Sequence, residues 1–168
     1  MKKSIIAIGI TLSVFCFVSS GFAQASATAD ASATIVTPIS ISKTADMNFG
    51  NVATNGAVGT VVLAPAGTRT STGGVTVPTT VGTVTAASFT VSGSGAYTYA
   101  ITLPSSVVIT SGTDNMTVNT FTSTPATTGT LTAGTQIIKV GATLNLVASQ
   151  AVGSYTSATP FTVTVNYN

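Results

Sequence analysis

The sequence predicts an all-β chain, a single antiparallel β-sandwich of immunoglobulin-like or pilin-like kind behind a cleaved signal peptide. Three observations predict it. Short runs with apolar residues at every second position recur along the chain, divided by Gly, Pro, Asn and Ser clusters, and that alternation marks strands with one buried face. Only 5% of the residues are charged, against about a quarter in an ordinary domain. Threonine takes their place, a β-branched residue whose hydroxyl keeps an outward sheet face wet without a charge. Beyond the N-terminal apolar run no stretch carries a helical period, and no fixed repeat marks a solenoid. At 44% hydrophobic the chain is too apolar for a disordered Ser/Thr-rich stalk.

The first segment is an address rather than a fold element. Met1-Lys2-Lys3, the apolar run 5–18 and the small residues of 19–25 have the form of a signal peptide, residues 1–25, cut after Ala23 or Ala25. The run is shorter than the roughly 20 residues a membrane span needs, so no mature span is expected. Cys16 is the only cysteine and follows the bulky Phe15, which argues against lipid attachment. The exported domain, residues 26–168, therefore holds no thiol and forms no disulfide. Loss of Lys2 and Lys3 reduces the five basic residues to three, Lys43, Arg69 and Lys139, against Asp30, Asp46 and Asp114. A neutral chain without clustered Lys and Arg excludes nucleic-acid and anionic-membrane binding.

Along the exported chain, Ala33, Ile35, Ile39 and Ile41 share one parity and make residues 31–42 the first strand, with Pro38 marking an edge or bulge. Met47 and Phe49 precede a turn at Asn55-Gly56. Residues 58–64 read as a buried strand closed by Pro65-Ala66-Gly67, and Gly73-Gly74 breaks the run that follows. ASFTVSG, with Phe89 and Val91, and AYTYAITLP, with Tyr97, Tyr99, Ile101 and Leu103, form a hairpin about Gly93-Ser94-Gly95. Val107 and Ile109 make the next run, and Met116 and Val118 another after a turn at 112–115. A threonine-rich loop, STPATTGTLTAGT, leads to the longest strand, where Ile138, Val140, Ala142, Leu144, Leu146 and Ala148 keep strict period two. The last segment starts at Gly153-Ser154-Tyr155 and ends FTVTVNYN, with Phe161, Val163, Val165 and Tyr167 on one face that something must cover.

The chemical inventory points away from catalysis. There is no His, no Glu and no exported Cys, and the three Asp lie in separate segments, so neither paired acid–base work nor a Ser-His-Asp arrangement can be assembled. Ser-Lys chemistry through Lys43 or Lys139 has no motif behind it. No enzyme, cofactor or metal site is expected. Asp114-Asn115 reads as a turn rather than a calcium site, and Asn115-Met116-Thr117 as an unsupported glycosylation sequon. Tyr97, Tyr99, Tyr155 and Tyr167 could stack on carbohydrate, but strand aromatics serve more often in cores and cross-strand pairs.

Six motifs in order, ATIVTPISISKTADMNFGNV, GTVVLAPAGTRTSTGGV, FTVSGSGAYTYAITLP, TGTLTAG, KVGATLNL and GSYTSATPFTVTVNYN, resemble the secreted bacterial family catalogued as domain of unknown function 4402. The resemblance implies a Gram-negative exported β-sandwich located in the periplasm, on the outer surface or outside the cell. A looser likeness concerns the ends. Chaperone–usher fimbrial subunits also close on an alternating strand with a penultimate aromatic, here Tyr167, and an upstream glycine, here Gly153, and they complete a neighbour's sandwich with an N-terminal extension. Gly153 lies two residues farther from the end than that pattern has it, and the common subunit disulfide is absent. Two readings follow. Residues 26–42 are a donor strand with Ile35, Ile39 and Ile41 as plugs, and Phe161, Val163, Val165 and Tyr167 face a second copy or a periplasmic chaperone; or the chain closes its own sandwich and serves as an adhesive or sugar-binding module.

Overall fold

The computed structural model describes residues 23–168, so most of the expected signal peptide lies outside the described residues. The chain divides into two units, Met1–Thr34 and Ile35–Asn168. In the first, residues 23–34 are exposed and belong to no helix or strand. The second is all-β, and every ladder in it is antiparallel.

Its strands are β1 (Ser40–Ala45), β2 (Asn48–Phe49), β3 (Ala53–Leu63), β4 (Arg69–Thr76), β5 (Val84–Thr85), β6 (Ala87–Ser92), β7 (Thr98–Thr102), β8 (Ser106–Ser111), β9 (Asp114–Thr124), β10 (Thr128–Thr130), β11 (Thr135–Leu146) and β12 (Thr164–Tyr167). Seven form one large sheet in the order β1-β6-β11-β3-β4, with β9 on β11 and β8 on β9. β10, β7 and β12 form a second sheet, and β2 pairs with β5. The arrangement is sandwich-like.

β11 is the axis. Its alternation puts Ile138, Val140, Ala142, Leu144 and Leu146 on one buried face, as period two requires. Lys139 is opposite both Ser88 of β6 and Thr124 of β9, and Leu144 opposite both Val61 of β3 and Val118 of β9. A strand has two edges, so β9 runs along one and β6 and β3 share the other in succession. Gly141 stands near the point where β3 ends, and any Cβ there would meet the Leu63 carbonyl oxygen at 2.1 Å.

The core has two parts. In the first, Phe89, Val91, Ile138 and Val140 of the large sheet pack against Tyr99, Ile101, Leu131, Val163 and Val165 from the second sheet and its approaches. In the second, every fully buried member (Val61, Val75, Met116, Val118, Ala142, Leu144 and Leu146) comes from the large sheet itself.

Several local expectations are corrected. The first strand begins at Ser40 rather than residue 31, because β1 finds its partner only from Ser92 back to Ser88. Asn55-Gly56 turns the chain locally, with Asn55 Oδ1 accepting from the Ala57 amide at 3.0 Å and Gly56 at φ 88°, but it is looped out inside β3 and does not end it. Residues 58–64 are buried on one face only, Val58 and Val62 being exposed. Gly73-Gly74 lies within β4, where Gly73 is paired with Gly59 and a Cβ on Gly59 would meet the Thr72 carbonyl oxygen at 2.4 Å. β6 and β7 are not a hairpin: β6 pairs with β1 and β11, β7 with β10 and β12, so residues 93–97 carry the chain from one sheet to the other. The threonine-rich loop contains β10 and the buried Leu131, and Ala148 lies beyond β11 and is exposed.

In the second sheet Gly129, Tyr99 and Tyr167 stand side by side across three strands. The fully buried Tyr99 ring occupies the space a Gly129 side chain would take, an added Cβ falling 2.3 Å from Tyr99 Cζ. Gly129→Ala is therefore expected to cost about 1–3 kcal/mol by overpacking, read as a lower urea midpoint at unchanged m. Tyr99 also donates to Gln136 Oε1 at 2.7 Å, and burial raises its pKa above the ordinary phenol range. A raised folded-state pKa means a contribution complete below about pH 10 and lost as pH climbs through the folded value. Tyr99→Phe should reduce the alkaline fall of unfolding free energy by up to about 1.4 kcal/mol per pH unit, measured by denaturant titrations above pH 10.

Candidate interaction site: the open groove and the terminal strands

The second core cluster is covered by short segments rather than by the second sheet. Its partly buried neighbours outside the large sheet are Met47, Phe49, Val52, Val77 and Tyr155, carried by short or irregular segments, and no strand of the second sheet supplies a fully buried member. Between these segments runs a groove of about 1040 Å³. Its floor is made by Val107 and Ile109 of β8, Met116 and Val118 of β9, and Leu144 and Leu146 of β11. Residues 150–157 form part of its rim, where Val152 is 98% exposed.

The wall at residues 49–51 is fixed from behind. Arg69, at the start of β4, donates through Nη1 to the carbonyl oxygens of Phe49 and Asn51 and through Nη2 to that of Val81 at 3.2 Å. Gly50, at φ 67°, is required there, since a Cβ would meet the Val81 carbonyl oxygen at 2.3 Å. Opposite, the rim is tied by Gln150, which donates to the Asn115 carbonyl and to Tyr155 Oη at 2.9 Å, while Tyr155 donates to the Ala151 carbonyl at 2.7 Å. Gly153 passes so close to β8 that a Cβ would meet Ser111 Oγ at 2.4 Å. The groove's charged side chains, Lys43 and Asp46, pair with each other at 2.6 Å.

The seven residues singled out at the two ends separate into two kinds. Ile39 and Ile41 are half-buried against the first core cluster. Phe161 packs edge-on to Phe89 with centroids 6.4 Å apart and lies 5.0 Å from Phe121; Val163 and Val165 are buried. Tyr167 packs at a tilt against Tyr97, with centroids 5.6 Å apart, accepts from the Ser94 amide at 2.7 Å and donates to the Thr37 carbonyl at 2.9 Å. These six all contact their own chain. Ile35, 97% exposed, is the one without packing.

Two features escaped the sequence reading. The groove left a faint trace: residues 147–160 contain no strand-length alternation, so that stretch offers no long strand to lie over the large sheet. The second lay in view. Ala27, Ala29, Ala31, Ala33 and Ile35 alternate with Thr28, Asp30, Ser32 and Thr34, a period-two face built from methyl groups that a search for large apolar residues passes over.

A family model described as a domain of unknown function, DUF4402, matches residues 39–167. The chain belongs to this family. The matched DUF4402 region runs from the residue before β1 to the last residue of β12. No curated protein and no solved structure matches the chain.

Tyr167 joins the approach to β1, the turn after β6 and the last strand of the DUF4402 domain through one hydroxyl. Tyr167→Phe keeps the ring and removes both hydrogen bonds, so a loss of about 1–2 kcal/mol is expected, with faster hydrogen exchange at the Ser94 amide as the local readout.

Proposed function

We propose that this chain is a non-enzymatic, exported structural protein of the Gram-negative cell surface, a fimbrial-type subunit that joins its neighbours by strand addition. The observation that carries the reading is the half of the large sheet that the three-stranded sheet does not cover, with a groove of about 1040 Å³ beside it. A groove of this volume is a candidate interaction site, and an extended segment is one occupant that a groove beside a sheet accepts. A periplasmic chaperone would occupy it before assembly, as an unfilled groove invites aggregation.

A self-complete adhesive or sugar-binding module is the second reading, and the polar rim is what favours it. Asn51, Gln150 and Tyr155 are the groups a sugar would address, yet their hydrogen bonds are already spent within the chain, and the floor is apolar. The assembly reading accounts for more of the groove.

The test is extraction of the protein from its native envelope without boiling, followed by gel electrophoresis and negative-stain microscopy. Heat-labile ladders and filaments are expected. A single monomeric band from the native source, stabilised by a carbohydrate, would replace this reading with the adhesive one.

A further inference from the structure

We infer that Asn55-Gly56 is a self-modification site, at which the Gly56 nitrogen closes on the Asn55 side-chain carbonyl carbon, expels ammonia and leaves a succinimide that water opens to aspartate or isoaspartate. The inference stands apart from the assembly reading. Three observations carry it.

The first is local chemistry and access. Asn55-Gly56 is the chain's one Asn-Gly pair, and glycine has no side chain to hinder approach to its nitrogen. Both reacting groups belong to adjacent residues, so the attack is intramolecular and gains the high effective molarity of a held geometry. Residues 53–58 are all exposed, and a Cβ built on Gly56 meets nothing within 4 Å. The ring and the water that opens it both have room.

The second is the pair of hydrogen bonds at the reacting atoms. The Gly56 amide donates to Thr54 Oγ1 at 3.0 Å, so the proton that must leave the nucleophile already points at an acceptor in contact with solvent. The Ala57 amide donates to Asn55 Oδ1 at 3.0 Å, the oxygen that takes negative charge when the nitrogen adds. A donor set in advance at a developing oxyanion lowers such a barrier. The bond that forms joins Gly56 N to Asn55 Cγ, and the Gly56 proton passes by way of Thr54 Oγ1 to water. The bond that breaks is Cγ–Nδ2, and Nδ2 leaves as ammonia with a proton returned from water. One water then adds across the ring: opening at Cγ gives aspartate at position 55, and opening at the main-chain carbonyl gives isoaspartate. No oxidant, metal or second chain enters the balance.

The third is restraint by the fold. Residues 55–58 are looped out of β3 between Thr54, paired with Val75, and Gly59, paired with Gly73. The Ser149 amide donates to the Gly56 carbonyl at 2.8 Å, and Asn55 Oδ1 lies against Gly74, where a Cβ has no room. An unfolded chain meets this arrangement only among many others, whereas the folded loop keeps Thr54, Asn55, Gly56 and Ala57 in it. The products differ in effect. Isoaspartate lengthens the backbone by one carbon and breaks the match of the loop to Ser149, while aspartate places a new negative charge next to Thr54, which lines the groove.

The experiment incubates the purified chain, folded and unfolded in urea, at neutral and at mildly alkaline pH, and maps its peptides by mass spectrometry. Loss of one ammonia reports the succinimide, and separated peptides report aspartate and isoaspartate. Asn55 is expected to convert in the folded chain at least as fast as in the unfolded one, and faster at the higher pH, because the nucleophile must give up its proton. Asn51 and Asn115, exposed but followed by Val and Met, should stay intact over the same interval. Thr54→Val keeps the side-chain shape and removes the acceptor; it should slow the folded chain by about threefold or more, the worth of one hydrogen bond, and leave the unfolded rate alone. Thr54→Ser should restore the rate, with thermal melting confirming that each variant is folded during incubation. Slower conversion of Asn55 in the folded chain than in the unfolded one would overturn the inference, and so would a folded Thr54→Val variant that converts as fast as its parent.

Discussion

Both parts of the core depend on β11. One strand of twelve residues supplies Ile138 and Val140 to the first cluster and Ala142, Leu144 and Leu146 to the second, while its two edges serve β9 on one side and β6 then β3 on the other. A backbone so used has nearly all its donors and acceptors paired, the condition a buried strand must meet. Gly141 permits the close approach of β3's end, and the ladder with β9 shifts register next to it. In a chain with no expected disulfide and almost no charge, packing and pairing along this strand stand in for cross-links and ion pairs.

Uneven coverage follows from that design. Only the Ile138–Val140 half of β11 faces the second sheet, which is three short strands wide; the Ala142–Leu146 half faces loops and a groove. The groove is nonetheless shaped in advance. Arg69 holds one wall through backbone carbonyls, and Gln150 with Tyr155 ties the rim.

Legibility varied with the range of the interaction. Because side-chain alternation is a property of the local backbone, period two located β11 and its buried face, though it carried the strand on to Ala148, two residues past its end. The runs that form β8 and β9 and the turn between them were readable for the same reason, but not that they pair. The β6–β7 pair was misread because a short glycine turn between two alternating runs has the same local signature whether the runs pair in one sheet or face each other across a core; Phe89 and Tyr99 do the latter. Asn55-Gly56 and Gly73-Gly74 carried sound local chemistry, a side-chain-capped turn and a close backbone approach, but neighbouring strands absorbed them into β3 and β4. Of the end residues, Phe161, Val163, Val165 and Tyr167 were correctly placed on one face. The groove floor was invisible, since Val107, Met116 and Leu144 read only as core.

By itself the sequence determined the fold class, the longest strand, the absence of any histidine-based chemistry and a last strand with a face to bury, all consequences of composition and period two. The tertiary structure alone decided which strands share a sheet, that Tyr167 closes on Thr37 and Ser94, and that half of the large sheet lies under a groove. Those are matters of which distant segments meet, and alternation along one strand, identical for every partner it could have, does not specify them.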